Sequence, residues 1–226
     1  MREFTENGLE RQSDCKAESK AWQDSITLPD DTEGWQDSIC LPDDSISADA
    51  ESGKQDLSRF DEAKQIVRLT GYLRGLTELQ PAEWSKLSLE ERTRVFQRIE
   101  NRAADIAGRP PMKVETESLS QNTNGYMDWE NKRIVVNSDL LASDSPDALR
   151  KSVKTLIHEG RHAYQMNNVE NSRTEPNVEK VNNAWQANLQ TGYKTAALFG
   201  YPLYYMQPIE VDARTFSEGV VSKLVS

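Results

Sequence analysis

Two hydrophobic periods run through the chain and divide it into helical and extended stretches. From residue 57 to 77 apolar side chains return at helical spacing, with Phe60, Ala63, Ile66, Val67 and Leu73 as the expected buried stripe. Ser88-Leu89-Glu90-Glu91 reads as a capping box, in which the serine oxygen accepts from a first-turn amide while Glu91 reaches back. The helix it opens carries Val95, Phe96, Ile99, Ala103 and Ile106 on one side and should stop at Gly108, with Pro110 and Pro111 behind it. Then the period shortens to that of strands. Met112 to Glu117 is expected to be one strand, and residues 125–129 and 133–137 flank Glu130-Asn131-Lys132 as a hairpin. Pro146, following Ser143-Asp144-Ser145, suits the first turn of a helix running to about Met166. Helical signals resume from Val178 to about Tyr193 and from Pro208 to the end. Helices, a small mixed sheet, then helices again define an α+β domain over residues 58–226.

Charge separates a leading segment from that domain. The 226-residue chain has a net charge of −10, and residues 1–57 hold all of it, with 15 acidic and 5 basic side chains against 22 of each afterwards. Such a segment buries too little apolar surface to offset its ordering entropy, so it is read as a disordered acidic tail. Within it Trp22-Gln23-Asp24-Ser25-Ile26-Thr27-Leu28-Pro29-Asp30-Asp31 recurs thirteen residues later as Trp35-Gln36-Asp37-Ser38-Ile39-Cys40-Leu41-Pro42-Asp43-Asp44. Two short copies do not make a solenoid. They read either as docking motifs for a partner or secretion chaperone, through Trp and Ile-x-Leu anchors, or as a duplication in a neutral linker. Cys15 and Cys40 cannot form a disulfide framework. A mean hydropathy of −0.75 without any long apolar run argues against a membrane span. The start has no apolar stretch of the signal-peptide kind, which leaves a cytoplasmic location or export without a cleavable leader. The absence of a strongly basic surface argues against nucleic acid as the main ligand.

The chain's two histidines stand in His158-Glu159-Gly160-Arg161-His162, which is H-E-x-x-H on an expected helix. Two histidines placed at random fall four apart with glutamate after the first about once in a thousand cases. At ~100° per residue Leu149, Val153, Leu156, Gly160 and Ala163 share one face, and the two histidines project from the opposite one. Residues four apart stand one above the other, so both rings can reach a single zinc ion. Glu159, turned ~100° from His158, can lie beside a water on that ion as a general base without becoming a ligand. Gly160 in mid-helix points to close packing on another element. A catalytic zinc commonly takes three protein ligands; no third histidine exists, so the third should be a carboxylate from Glu170, Glu175, Glu179, Glu210, Asp212 or Glu218. Glu210 fits best, at the start of the last helix with a small Ala213 one turn on; the alternative is a simple ion pair with Arg214. Asp212, turned ~200° from Glu210, would instead orient a histidine ring or an arginine.

Taken together, these residues resemble the zincin metallopeptidases, within them the gluzincin-like group whose third ligand is a glutamate on a later helix. The closer likeness is to small bacterial toxin or effector zincins. It is carried by Gly125-Tyr126, Ile134 to Asn137, Leu156 to Tyr164, Trp185, and Gln207-Pro208-Ile209-Glu210-Val211-Asp212-Ala213, and it covers about residues 112–220. One departure is Arg214, four residues after Glu210, where the most familiar gluzincins have aspartate.

The resemblance implies a zincin-like fold, one zinc per chain, and hydrolysis of a peptide bond with Glu159 moving the proton. It also implies that strand Arg133–Asn137 is an edge strand pairing with an extended protein substrate. For the oxyanion, Tyr164, Tyr193, Tyr201, Tyr204, Tyr205 and Arg161 are candidates, with Tyr204 and Tyr205 leading because they adjoin Glu210. Two other readings stand beside this one: a non-catalytic zinc protein docking through its repeats, and a zinc amidohydrolase acting on a non-protein amide.

Overall fold

The computed structural model describes residues 61–171, 179–190 and 192–224. The acidic segment with both repeats, Phe60 and Glu175 lie outside the described residues. The domain is a mixed α+β fold, mostly helical, around one three-stranded sheet.

Helix α1 spans Glu62–Arg74, its first turn capped by the Asp61 carboxylate accepting from the Lys64 amide. Its buried face differs from the expected stripe. Gln65, Leu69, Thr70 and Leu73 point inward with Ile66 half-buried, whereas Ala63 is exposed and Val67 is 62% exposed. Ile66, Leu69 and Leu73, spaced i, i+3 and i+7, form the inward line, and Gln65 beside them makes a buried hydrogen bond, its Oε1 accepting from Arg161 Nη1 at 3.0 Å. The expected stripe omits Leu69 and includes Ala63 and Val67, which lie on the other side of the helix.

After a 3-10 turn (Thr77–Leu79) and the short α2 (Pro81–Trp84), helix α3 runs Leu89–Ala107. The capping box at Ser88 and Glu91 is formed, and Gly108 ends the helix at φ 66°, a left-handed conformation that glycine adopts without strain. Val95, Phe96, Ile99 and Ile106 are buried, with Ala103 packed at the margin.

The strands are β1 Lys113–Glu117, β2 Gly125–Asp128 and β3 Arg133–Asn137. Beside the expected β2–β3 hairpin, with Met127 opposite Ile134, β1 pairs parallel to β3, Val114 beside Ile134. The order is β1-β3-β2, so Arg133–Asn137 is the middle strand and not an edge. Its composition explains the place: Ile134, Val135 and Val136 are fully buried, as a strand with a neighbour on each side requires. The sheet touches the next helix at Gly125, where an added Cβ would lie 2.5 Å from the Val135 carbonyl oxygen and 2.7 Å from Thr155 Cγ2. Neither the ladder nor the helix can retreat easily, so Gly125→Ala is expected to destabilise the fold by about 1–3 kcal/mol, read as a lower denaturant midpoint at unchanged slope. An unchanged midpoint would mean that β2 and the helix are not in this contact.

Helix α4 (Ser138–Ala142) leads into α5, Pro146–Glu170, 25 residues or about 37 Å long. It is followed by α6 (Glu179–Gln190), the short α7 (Ala196–Phe199) and α8 (Tyr201–Tyr205), α9 (Pro208–Val221) and a closing 3-10 turn. The main core joins Leu69 and Leu73 of α1, Phe96 and Ile99 of α3, the sheet, Leu149, Val153 and Leu156 of α5, and Val220 of α9. The expected division of α5 into a buried and an open face does not hold, since every residue from Thr155 to Gln165 is buried. Its polar side meets α9 rather than solvent. Among the described residues no helix is long and apolar enough to cross a membrane.

Candidate metal centre

Helices α5 and α9 bring together the three side chains that spacing selected. His158 Nε2 lies 3.1 Å from His162 Nε2, and each lies 3.4 Å from one oxygen of Glu210. All three are buried. Ala213 is fully buried between the helices, as its small size suggested. Nitrogen and oxygen donors held tetrahedrally at about 2.0–2.1 Å stand about 3.3–3.4 Å apart. His158 faces Glu210 Oε2 and His162 faces Oε1, and one ligand atom from each side chain lies within 4.8 Å of the others, close enough to converge on one metal ion. Among the described residues this trio is the one group of three or more potential ligands able to hold a metal ion.

The remaining ligand candidates are engaged elsewhere. Glu170 accepts from the Trp129 indole, Glu218 pairs with Lys154, and Asp212 pairs with Arg161. The Glu179 side chain lies outside the description. Glu210 does not pair with Arg214, whose guanidinium lies 3.3 Å from the Tyr205 ring centroid and donates to the Tyr205 carbonyl.

Glu159 stands beside the cluster, 1% exposed, with Oε1 lacking any hydrogen-bond partner among the described residues. The Met127 backbone of β2 lies near its carboxylate. A buried carboxylate with a spare oxygen is costly to maintain, which makes it chemically distinctive. Gly160 packs as closely as its place in the helix implied. A Cβ there would meet Arg109 Nη2 at 3.1 Å and Glu100 Oε2 at 3.2 Å, the two ends of a buried ion pair between α3 and the loop after it.

Asp212 joins an arginine to a histidine. Arg161 donates two hydrogen bonds to its carboxylate, at 2.8 and 2.9 Å. Gln165 Nε2 donates to Asp212 Oδ2 at 2.6 Å and to the Ile209 carbonyl at 2.9 Å. With the amide nitrogen so occupied, Gln165 Oε1 is the atom left to face His162 Nδ1, at 2.8 Å. Nδ1 must then carry a hydrogen, and once the ring is neutral the Nε2 lone pair points at the cluster. Sequence reasoning passed over Gln165, although a position one turn beyond a ligand on the same helix face was the signal that could have found it.

Among the oxyanion candidates, Tyr204 donates from its hydroxyl to Glu210 Oε2 at 2.9 Å, and the Tyr193 hydroxyl bonds Oε1. Tyr205 does not reach the site: its ring stacks with Arg214. Tyr201 packs against Tyr204 and Tyr205, and Arg161 is ion-paired to Asp212 with its guanidinium 4.5 Å from the Tyr164 ring centroid.

Burial and charge set the protons. Burial pushes Glu159 up to about 8. For His162 burial opposes protonation, but the Glu210 carboxylate outweighs it and raises the imidazole to about 9. Burial lowers His158. Burial would raise Glu210, yet the two rings, His162 foremost, hold it well below the ordinary carboxylate range. The ion-free cluster at neutral pH is therefore a His162 imidazolium against a Glu210 carboxylate, with His158 and Glu159 neutral. From the ordinary values of 4.5 for Glu159 and 6.5 for His162 up to about 8 and 9, the folded state keeps protons that the unfolded chain has released. Stability of the ion-free protein should accordingly fall as pH rises through this window, giving a lower melting temperature in chelator at pH 8.5 than at pH 6. Metal binding at pH 7 should release about one proton or more, seen by calorimetry in buffers of different ionisation enthalpy. Uptake without proton release would place the ion away from His162.

No family model, curated protein or solved structure matches the chain.

Proposed function

We propose that the protein is a zinc-dependent peptidase of the zincin type, with His158, His162 and Glu210 as ligands and Glu159 as general base. What carries the reading is Glu159: a buried carboxylate with a free oxygen, next to three converging ligands, has no role in a purely structural site, which commonly closes all four positions with protein groups. Two imidazoles and one carboxylate suit zinc among the common divalent ions. When bound, zinc supplies Lewis acidity that polarises a carbonyl and acidifies a water. Glu159 takes the proton at its carboxylate and returns it to the leaving nitrogen. Gln165, held by Asp212 and Ile209, keeps His162 in its ligating tautomer. Tyr204 and Tyr193 hold Glu210 in place through its two oxygens.

The substrate in this reading is an extended segment of a specific protein. It pairs with β2, which has a neighbouring strand on one side only, rather than with the central β3. The chain then fits a bacterial effector or toxin. A second reading, a metal protein without catalysis, is favoured by one observation, the burial of His158, Glu159, His162 and Glu210 alike.

Incubating wild type and Glu159→Ala with candidate host-cell lysate, followed by N-terminal mass spectrometry, separates the two. New protein termini with wild type alone support the peptidase. Termini produced by both forms would remove Glu159 from the chemistry, and none with either would favour the non-catalytic reading.

A further inference from the structure

Among the described residues, five of the six large apolar side chains left exposed lie between 198 and 211: Leu198, Phe199, Leu203, Met206 and Val211. The sixth, Val67, is on α1. Leu198 and Met206 are 78% and 69% exposed. Such a concentration in one stretch of surface marks a contact site. The stretch comprises α7, α8 and the first turn of α9, and its inner side carries Tyr204 and Glu210. It is thus the outer surface of a wall of the metal centre.

The occupant is indicated by where the described chain begins. Asp61 caps α1, and Glu62 stands 3.8 Å from Arg161, which is bonded to Asp212, the neighbour of Val211. Residues 1–60 therefore leave the domain beside the α9 end of this apolar surface. They contain two sets of apolar anchors at identical spacing, Trp22, Ile26 and Leu28, then Trp35, Ile39 and Leu41. The 19 residues from 42 to 60 are enough chain to cross α7 and α8, since a linker of that length reaches about 25 Å on average. A tether of this length presents the anchors at an effective concentration on the order of millimolar.

We propose that a Trp-x-x-x-Ile-x-Leu repeat from the leading segment docks in cis on the apolar surface of residues 198–211. The repeat and that surface are then two halves of one contact. Because Tyr204 on α8 bonds Glu210, the docked repeat lies on the outer side of helices whose inner side adjoins the metal centre. The docking stands independently of the chemistry of the metal centre.

The test compares the full chain with a full-length variant in which Trp22, Ile26, Leu28, Trp35, Ile39 and Leu41 are all serine, by hydrogen–deuterium exchange across residues 196–206. Amides of α7 and α8 are expected to exchange at least about tenfold more slowly in wild type, and Leu198→Glu/Leu203→Glu should lose that protection while leaving α3 and α5 unchanged. Equal exchange in wild type and the serine variant overturns the proposal. So does protection that appears only as sedimentation detects dimer, which would make a second copy the occupant. Zinc content measured on the same samples keeps the two claims apart, since its absence would remove the metal reading and leave this contact untouched.

Discussion

Glu159→Gln is expected to slow hydrolysis of an identified substrate by about 10²–10⁴-fold while zinc content stays at the wild-type level. The two side chains have the same shape, but the amide cannot accept a proton. Glutamine also has no charged form to bury, so the variant should melt no lower than wild type. The buried carboxylate is held up to about 8 by its surroundings, and that strain disappears with the ionisable group. A variant that is inactive and more stable is what a residue kept for chemistry produces. Loss of zinc together with activity would instead assign Glu159 a place among the ligands.

The second large effect is on folding. Glu100 and Arg109 form a buried two-bond ion pair at 2.6 and 2.9 Å, their side chains 1% and 2% exposed. Glu100 Oε1 also accepts the Met112 amide at 2.8 Å, tying α3 to the start of β1. This pair is the surface on which Gly160 rests, between the residues that carry the metal ligands. Glu100→Ala would leave the guanidinium buried without its counter-charge, and should cost about 3–5 kcal/mol, read by denaturant unfolding. The double variant Glu100→Leu/Arg109→Met should recover much of that loss, because the penalty comes from the unpaired charge rather than from a missing attraction. A single variant within about 1 kcal/mol of wild type would show that water reaches the pair.

Features written in local sequence were legible, and those decided by distant partners were not. The capping box at Ser88, the stop at Gly108, the β2–β3 hairpin and the H-E-x-x-H helix are each specified by a few adjacent residues and appear where expected. Two histidines leave a carboxylate as third ligand; Glu210 stands out among six for its place at the start of the last helix with Ala213 one turn on, and the fold brings it to both rings. The parallel β1–β3 pairing joins strands separated by the whole hairpin, so no local pattern announces it, and β3 was therefore misplaced at an edge. On α1 the buried face follows Ile66, Leu69 and Leu73, and the Gln65–Arg161 bond beside them joins residues 96 apart, beyond the reach of a local pattern. Closeness in sequence proved a poor guide for the tyrosines: Tyr205 turns away to Arg214, whereas Tyr193 arrives at Glu210 from seventeen residues earlier.

The central claim is that His158, His162 and Glu210 share one ion. Titrating zinc into chelator-treated wild type, His162→Ala and Glu210→Ala, with metal content determined after gel filtration, tests it most directly. One zinc per wild-type chain, and loss of that zinc in both variants with the fold intact by circular dichroism, is the result expected. Wild type that takes up no zinc, or variants that retain it at the same affinity, would contradict the account at its base.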